Sequence, residues 1–284
     1  MYFPIHSIKT GLYNVSKTIP YVRLIDSTCN LGLRLSGINI SSEEKIKLIR
    51  TIFKTGQRHI EVGVVGNLEN TKNVIQSLKD DFYGEKILSS IACTETQTKE
   101  LISCGGDELI LPISLDNNIS QHFTETSYKS YENITTLCYK HNINVRAIIY
   151  KGFLENISDI MKHIMILKSM GISNFTLIEN DYTDPTHVSE TLSAIKSIVY
   201  LSNLSVCFIS KPDNLKSLVR QFINCETALD VGIRNFTVSS SGLGGLVPTD
   251  GMIELLNDRE YGHNITSMKP FTTLDHQINK LKNN

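Results

Sequence analysis

The 284-residue chain has no paired-cysteine motif, no long apolar run and no excess of charge of either sign. Its six cysteines are dispersed without a CxxC pair, which is typical of reduced thiols rather than of a disulfide framework. No stretch approaches the roughly 18 apolar residues of a membrane span. The N-terminus does not join a basic region to an apolar core, so we expect no secretory signal.

The charge balance excludes further classes of function. The chain has 28 basic and 29 acidic residues, for a net charge of −1. Proteins that bind nucleic acid or anionic membranes need a clustered positive face, so we expect neither of these partners. The dispersed cysteines, interpreted as reduced thiols, favour a cytoplasmic protein.

A regular alternation of short β-branched runs with amphipathic helical stretches dominates the sequence. After a first strand at 22–26, Ser41 and Glu44 form a Ser-x-x-Glu capping box that opens a helix, which ends at Gly56. Further strands are predicted at 59–62, 87–91, 108–111, 145–150, 174–178, 204–209 and 235–238. Helices are predicted at about 67–80, 96–104, 124–141, 157–167, 186–201 and from 215 to at least 222.

Strands that alternate with helices pair in parallel through right-handed crossovers. Eight such units in a chain of this length favour an α/β fold of the (β/α)8 TIM-barrel type, although the pattern alone also allows an open sheet. We interpret residues 1–284 as one such domain. A weak apolar stripe at Leu274, Ile278 and Leu281 predicts a short covering segment at about 265–284.

In barrels of this type the working residues lie at the carboxyl ends of the strands and in the loops that follow. Polar, thiol and glycine residues occupy these positions after most of the predicted strands. As ligand-binding candidates we select Asp26, Thr28, Asn30, Ser114, Glu179, Cys207, Ser239, Gly242 and Gly244.

Three of these regions resemble the HMG-CoA lyase and pyruvate carboxyltransferase family, the DRE-TIM metallolyases. Residues 25–34, Ile-Asp-Ser-Thr-Cys-Asn-Leu-Gly-Leu-Arg, resemble its first-strand motif D-x-T-L-R-D-G-x-Q. Residues 56–63 resemble its glycine followed by I-E-V-G, and residues 238–245 resemble its S-x-x-G-L-G-G segment. The resemblance runs from about residue 20 to 260. It implies a (β/α)8 barrel, metal-dependent carbon–carbon lyase or condensation chemistry, and small-acid or acyl-CoA ligands.

The same resemblance shows where this chain departs from the family. The family's catalytic arginine falls at Asn30, and a metal-binding aspartate falls at Leu31. Its strand-7 H-x-H pair of metal ligands falls on residues 207–209, Cys-Phe-Ile, and a catalytic cysteine falls at Leu246. Hydrocarbon side chains cannot bind a divalent cation. We therefore predict that the metal site is lost and that the chain uses no metal or other cofactor.

Glu61 is the member of the family's constellation that is clearly in place. It could act as an acid or base, or it could form an ion pair with an inherited Lys or Arg, and the sequence favours neither. Arg34 could replace the missing cation, although a loop arginine is more often solvated or salt-bridged. With Lys151, these residues are our candidate catalytic groups.

Three of the ligand-binding candidates also have a purely structural interpretation. Cys207 is better explained as a small core residue than as a nucleophile, because the sequence identifies no base or cation beside it. Gly242 and Gly244 could let backbone amides approach a phosphate or carboxylate, or they could serve tight packing and positive φ angles.

Three functions follow from these patterns. The first is a barrel that binds a small carboxylate or acyl-thioester, with the family chemistry lost or replaced. The second is a carbon–carbon lyase or acyl-transfer condensing enzyme that works without metal, and the third is a non-catalytic interaction or partner subunit. A polar pocket at the barrel mouth would favour the first two, and a mouth filled by Leu31, Ile209 and Leu246 would favour the third. The resemblance also implies a possible homodimer through outer helices, or a partner enzyme.

Overall fold

The computed structural model describes residues 19–66, 71–79, 81, 84–114, 125–153, 156–179, 183–211 and 214–283, with only the backbone described at 114 and 125–127. Parallel strands form a closed barrel in the order of the sequence, and β1 pairs with both β2 and β8. The eight strands are β1 (Tyr21–Asp26), β2 (His59–Val64), β3 (Ile87–Ile91), β4 (Glu108–Ser114), β5 (Asn144–Tyr150), β6 (Asn174–Ile178), β7 (Leu204–Cys207) and β8 (Asn235–Ser239). The predicted (β/α)8 barrel is confirmed.

The helices lie outside the barrel and cover the apolar outer faces of the strands. They are α1 (Leu33–Leu35), α2 (Ser42–Phe53), α3 (Thr71–Lys79), α4 (Glu95–Cys104), α5 (Glu125–Lys140), α6 (Ile157–Ser169), α7 (Pro185–Ile195), α8 (Leu215–Val231), α9 (Thr249–Asp258) and α10 (Lys269–Lys282). The capping box of α2 is present, since Glu44 N donates to Ser41 Oγ at 3.2 Å and Ser41 N to Glu44 Oε2 at 2.9 Å. Among the described residues, no helix combines the length and the apolar character that a membrane span needs.

Some predicted elements differ from the observed ones. The strand predicted at 204–209 ends at Cys207, because Ile209 leaves the sheet to form an antiparallel bridge with Leu246. The helix predicted at 186–201 ends at Ile195, where Ser197 Oγ donates to the carbonyl of Ala194 and so competes with the helical hydrogen bonds. Residues 67–70, 80 and 124 of the predicted helices lie outside the described part of the chain.

Several elements were not predicted. A π-helical turn, Thr28–Gly32, follows β1 and leads into α1. A 3-10 segment, Ser240–Gly245, follows β8 and leads into the short strand β9 (Val247–Pro248) and then α9. A second short strand, β10 (Gly262–His263), pairs with β1. The two turns after β1 and β8 close the carboxyl end of the barrel, whereas β10 pairs with the first residues of β1, at the amino end.

Helix α8 contacts the barrel through a face that mixes polar and apolar side chains. The residues buried on it are Ser217, Gln221, Asn224, Cys225, Ala228 and Leu229. Its apolar residues Leu215 and Val219 are instead 74% and 50% exposed. Leu218 and Phe222, which belong to the same predicted apolar stripe, are partly buried, and Phe222 packs against the core, so only part of the stripe faces away from the barrel.

Candidate functional site

Arg146, on β5, lies inside the barrel and joins side chains from three other strands. Its Nη2 donates to Glu61 Oε1 at 2.8 Å, its Nε to Glu108 Oε2 at 3.0 Å, and its Nη1 to Thr176 Oγ1 at 2.9 Å. All four side chains are buried. A charge in a low-dielectric interior needs such partners, so this guanidinium and the two carboxylates stabilise one another.

The second oxygen of the Glu61 carboxylate is also occupied. Glu61 Oε2 accepts a hydrogen bond from Ser27 Oγ at 2.5 Å and one from Asn30 Nδ2 at 2.9 Å. The carboxylate thus accepts three hydrogen bonds, one of them from Arg146, and its residue has no exposed surface. These contacts are those expected if Glu61 forms a structural ion pair, and the partner in that pair is Arg146.

Glu61, Glu108 and Arg146 form a charged layer inside the barrel. Glu108 connects this layer to side chains of β2 and β3. His59 Nε2 lies 3.0 Å from Glu108 Oε2, and Ser89 Oγ donates to the same oxygen at 2.6 Å. Burial raises the pKa of Glu108, but the Arg146 guanidinium and the His59 contact outweigh it and hold that pKa well below its usual value. Neither Glu108 nor Arg146 was among the sequence candidates. The sequence signal that could have identified them is a charged residue within each of two otherwise apolar strands, β4 and β5.

Asp26, at the end of β1, is buried in the turn that follows. Its carboxylate accepts hydrogen bonds from Thr28 N at 3.0 Å and Thr28 Oγ1 at 3.1 Å, and Thr28 Oγ1 in turn accepts one from Ser240 N at 2.8 Å. Burial raises the pKa of Asp26 to about 7; the hydrogen bonds from Thr28 oppose this shift, and the charge of Glu61 adds to it. Asp26 and Thr28 therefore tie the turn after β1 to the turn after β8.

Replacing Asp26 by Asn should change how stability depends on pH. A carboxyl whose pKa is raised on folding binds its proton more tightly in the folded state, so its contribution to stability is lost as pH rises towards 7. We expect the free energy of unfolding of the wild type to fall relative to that of Asp26→Asn by about 2–3 kcal/mol between pH 5 and pH 8. Urea denaturation of both proteins at the two pH values measures this difference. A difference that does not change with pH would contradict the burial-raised pKa.

An apolar layer lies directly above the charged one, towards the carboxyl ends of the strands. Side chains alternate between the two faces of a strand, so the residue two positions further on is the next one inside the barrel. Two positions after Ser89, Glu108, Arg146, Thr176 and Ser205 come Ile91, Ile110, Ile148, Ile178 and Cys207. Leu31 and Leu246, from the turns after β1 and β8, pack with these five residues, and all seven are 0–3% exposed.

We call these seven residues the mouth layer, since they fill the barrel where a (β/α)8 enzyme usually has its active site. Ile209 and Tyr150 are partly buried against it. The layer separates the charged residues below it from solvent.

The mouth layer does not fit a divalent metal ion. Leu31 and Leu246 offer hydrocarbon where oxygen or imidazole ligands would be needed. Cys207 is fully buried, and this burial raises the pKa of its thiol well above the usual value, which disfavours the thiolate that would bind a metal. Across the described residues, no group of three or more His, Cys, Asp or Glu side chains could hold an ion.

The structure does not gather the three candidate catalytic residues around one reacting position. Arg34 is exposed on the rim and hydrogen bonds to Tyr150, whose side chain packs on the mouth layer. Lys151 follows β5 with a positive φ of 57° and is half-buried. Glu61 lies below the layer, while Arg34 faces solvent.

The ligand-binding candidates after β6 and β8 are engaged within the protein. Glu179 Oε1 accepts hydrogen bonds from Thr183 N at 2.6 Å and Asn224 Nδ2 at 3.2 Å. Burial raises the pKa of Glu179, and these hydrogen bonds oppose the shift. Ser239 is fully buried, and its Oγ donates to the carbonyl of Leu243 at 2.9 Å. The side chain of Ser114 lies outside the described part of the structure.

The glycines after β8 allow close backbone contacts. Gly242, Gly244 and Gly245 have φ angles of 62°, 72° and 77°. A Cβ on Gly244 would lie 2.8 Å from the carbonyl oxygen of Gly32, and one on Gly245 would lie 2.2 Å from that of Ser210. Gly244 and Gly245 therefore bring the turns after β1, β7 and β8 together.

The same glycine segment lines a groove of about 800 Å³ outside the mouth layer. Apolar side chains of α1 and α8, among them Leu35 and Leu218, form part of its wall. Lys211 and Lys282 supply two cationic groups, and no carboxylate occurs among the described residues that line it. The groove therefore combines apolar surface with positive charge. We call it the glycine-segment groove.

Comparison with known proteins gives matches of structure but not of sequence. No protein-family model matches the chain, and no curated protein sequence matches it. The HMG-CoA lyase of Bacillus subtilis is 18% identical and has a TM-score of 0.82, over 93% of this chain and 96% of that one. An HMG-CoA lyase of Acinetobacter baumannii, in complex with coenzyme A and 3-methylmalate, is 17% identical with a TM-score of 0.81, over 93% and 92%.

A second group of enzymes has the same barrel. The carboxyl transferase domain of Rhizobium etli pyruvate carboxylase is 10% identical with a TM-score of 0.70, over 94% of this chain and 48% of that one. At these identities, the likeness shows that this chain has the (β/α)8-barrel fold found in HMG-CoA lyases and carboxyl transferase domains.

Proposed function

We propose that this chain is a divergent HMG-CoA-lyase-like barrel that has lost the metal-dependent carbon–carbon chemistry and binds a small carboxylate or an acyl-thioester. The observation that carries this proposal is the mouth layer. Seven buried side chains without a metal-binding oxygen or imidazole fill the position at which a barrel enzyme binds its substrate.

The charges below the layer support the loss of that chemistry. Stabilising an enolate-like oxygen requires a fixed cation or metal at the reacting atom, and removing one such contact typically costs about 10²–10³ in rate. Arg146 is a buried cation, but Glu61 and Glu108 already neutralise it. Arg34 lies on the solvent side of the mouth layer.

The glycine-segment groove is the part of the described surface that best suits the proposed ligand. Its volume lies within the range of small-molecule sites. Lys211 and Lys282 offer attraction to a carboxylate or phosphate, while Leu35 and Leu218 offer apolar contact to an acyl or pantetheine arm. Of the predicted ligand-binding residues, Gly242 and Gly244 line this groove.

A second candidate function is a non-catalytic partner subunit. The sequence criterion for it was a mouth filled by Leu31, Ile209 and Leu246. Leu31 and Leu246 belong to the mouth layer, and Ile209 packs against it. This candidate needs no ligand in the glycine-segment groove, which separates it from the first.

Calorimetric titration tests the proposal. We expect Mg²⁺, Mn²⁺ and Zn²⁺ to give no one-to-one binding heat, because the mouth layer lacks suitable ligands. Coenzyme A and acetyl-CoA should bind in the absence of metal. Lys282→Ala should weaken that binding several-fold by removing a cation from the groove, whereas Lys140→Ala, an exposed lysine on α5, should not change it.

The other outcomes discriminate among the functions. One tightly bound ion per chain would contradict the loss of the metal site, and an active metallolyase would then be the favoured function. No heat with coenzyme A or acetyl-CoA, together with no heat with 3-methylmalate, would favour the partner subunit. Cleavage or condensation of an acyl-CoA in excess EDTA would instead support the metal-free lyase.

A further inference from the structure

A polar pocket lies at the amino end of the barrel, opposite the mouth layer. Side chains alternate along a strand, so the residues two positions before Glu61 and Arg146 form the next layer towards the amino end. On β2 and β5 these are His59 and Asn144, and both line a pocket of about 740 Å³. We call it the amino-end pocket. It shares no described residue with the glycine-segment groove.

Unpaired charges of both signs line the amino-end pocket. Arg23, on β1, is exposed there, and so are Glu85 and Asp107, from the segments before β3 and β4. Among the described residues, none of these three side chains forms an ion pair. Asp107 Oδ2 accepts a hydrogen bond from Leu88 N at 2.8 Å, which orients the carboxylate without neutralising it. The pocket therefore presents a separate cation and separate anions to whatever enters it.

The other two cations of the pocket are already engaged within the protein. Arg58 Nη1 donates to two backbone carbonyls, both at 2.8 Å. Lys86 Nζ donates to two further carbonyls, at 2.8 Å and 2.6 Å. Arg23 is thus the cation of this pocket that has its hydrogen-bond donors available for a ligand.

His59 forms the part of the pocket wall that reaches the charged layer. Its Nε2 lies 3.0 Å from Glu108 Oε2 and 2.8 Å from Ser89 Oγ. Because Glu108 is ionised and Ser89 Oγ donates its own proton to Glu108, His59 Nε2 must carry a proton. In the neutral ring Nδ1 is then an acceptor, and it is buried with no hydrogen-bond partner in the described part of the chain. A ligand that donates to Nδ1 would remove the cost of this unsatisfied group.

From these observations we propose that the amino-end pocket binds a small zwitterion, of the free amino-acid class. The carboxylate of such a ligand pairs with Arg23. Its ammonium group has three donors, which match the acceptors on Asp107, Glu85 and His59. A simple anion would leave these acceptors unpaired, and a simple amine would leave Arg23 unpaired.

The size and position of the pocket agree with a binding role. Its volume lies within the range of small-molecule sites, and Tyr21, Ile87 and Ile143 add apolar surface for a ligand side chain. In (β/α)8 barrels the chemistry takes place at the carboxyl end. A ligand at the amino end is therefore bound and not transformed, and the inference goes beyond the ligand proposed for the glycine-segment groove.

Calorimetric titration of the full chain tests this inference. Each of the twenty amino acids is titrated at two temperatures, so that a binding heat near zero at one of them is not missed. We expect at least one amino acid to bind with one-to-one stoichiometry. Its analogues that lack the amino group or the carboxylate should each bind at least about tenfold more weakly, because each loses a charged hydrogen bond.

Two variants locate the site. Arg23→Gln should weaken binding at least about tenfold by removing the partner of the carboxylate. Asp107→Asn should have a similar effect, while its amide oxygen can still accept from Leu88 N. Arg220→Gln is the matched control, because Arg220 is an exposed arginine on α8 that does not line the pocket, and it should leave the affinity unchanged. Circular dichroism checks that all three variants fold.

Three results would overturn the inference. They are a wild type that binds no amino acid, an affinity that Arg23→Gln leaves unchanged, and an analogue with a single charge that binds as tightly as the amino acid. Arg23→Gln should not affect binding of coenzyme A, because Arg23 does not line the glycine-segment groove. The failure of one proposal is therefore distinguishable from the failure of the other.

Discussion

Replacing Arg146 by Ala should lower the free energy of unfolding by about 3–5 kcal/mol. The substitution removes a cation that contacts Glu61 at 2.8 Å and Glu108 at 3.0 Å, and it leaves two carboxylates in the barrel interior without their counter-ion. Both carboxylates are almost inaccessible to water, so solvent cannot compensate for the loss. Urea denaturation at pH 7, followed by circular dichroism, measures the difference.

Arg50→Ala is the matched control for this prediction. Arg50 also pairs with a carboxylate at 2.8 Å, that of Asp81, but its side chain is 45% exposed. A surface ion pair of this kind contributes less than about 1 kcal/mol. If the two variants lost similar amounts of stability, the charges inside the barrel would not have the structural role described for them.

The fold was predictable because each strand and helix carries its own local signal. The strands predicted at 87–91 and 174–178 coincide with β3 and β6. The capping box that opens α2 depends on residues three positions apart. Local patterns of this kind give the order of elements, and the order of eight strand–helix units indicates the barrel. The predictions fail where the local structure depends on residues distant in sequence. Ile209, for example, lies outside β7 because it forms a bridge with Leu246.

The interior of the barrel was predictable only in part. Glu61 was identified through its motif, but its partner Arg146 lies 85 positions away along the chain. Only the register of β2, β4 and β5 brings Glu61, Glu108 and Arg146 together, and a single sequence does not give that register. The position of Leu31 and Leu246 at the barrel mouth was predictable from the sequence. That they pack into one layer with residues of β3 to β7 was not.

Helix α8 shows a limit of pattern reasoning of a different kind. An apolar stripe is normally taken to face the core, because burial of apolar surface stabilises the fold. On α8 the buried face combines the apolar residues Cys225, Ala228 and Leu229 with Gln221 and Asn224, which have specific hydrogen-bond partners. The local sequence shows that the helix is amphipathic, but the carbonyls and carboxylate that accept these hydrogen bonds belong to other elements. Which face turns inward is therefore a property of the whole fold.

The second large effect is expected at Gly245, in the turn that positions Leu246 within the mouth layer. Gly245→Ala should lower the free energy of unfolding by about 2–4 kcal/mol, for two reasons that add. An L-residue at a φ of 77° is strained by about 1 kcal/mol. The new Cβ would also lie 2.2 Å from the carbonyl oxygen of Ser210, and relieving such an overlap in a packed region typically costs about 1–3 kcal/mol.

Gly171→Ala separates the two contributions. Gly171 follows α6 with a φ of 90°, but a Cβ there would meet no atom within 4 Å. Only the backbone strain should appear, so we expect a loss of about 1 kcal/mol. At Gly245, by contrast, rotation of a side chain cannot relieve the overlap, because the atom in contact is the backbone carbonyl oxygen of Ser210. Equal losses for the two variants in urea denaturation would mean that the turns after β7 and β8 can move apart. The mouth layer would then be able to open, and the ligand would be expected to bind within the barrel rather than in the glycine-segment groove.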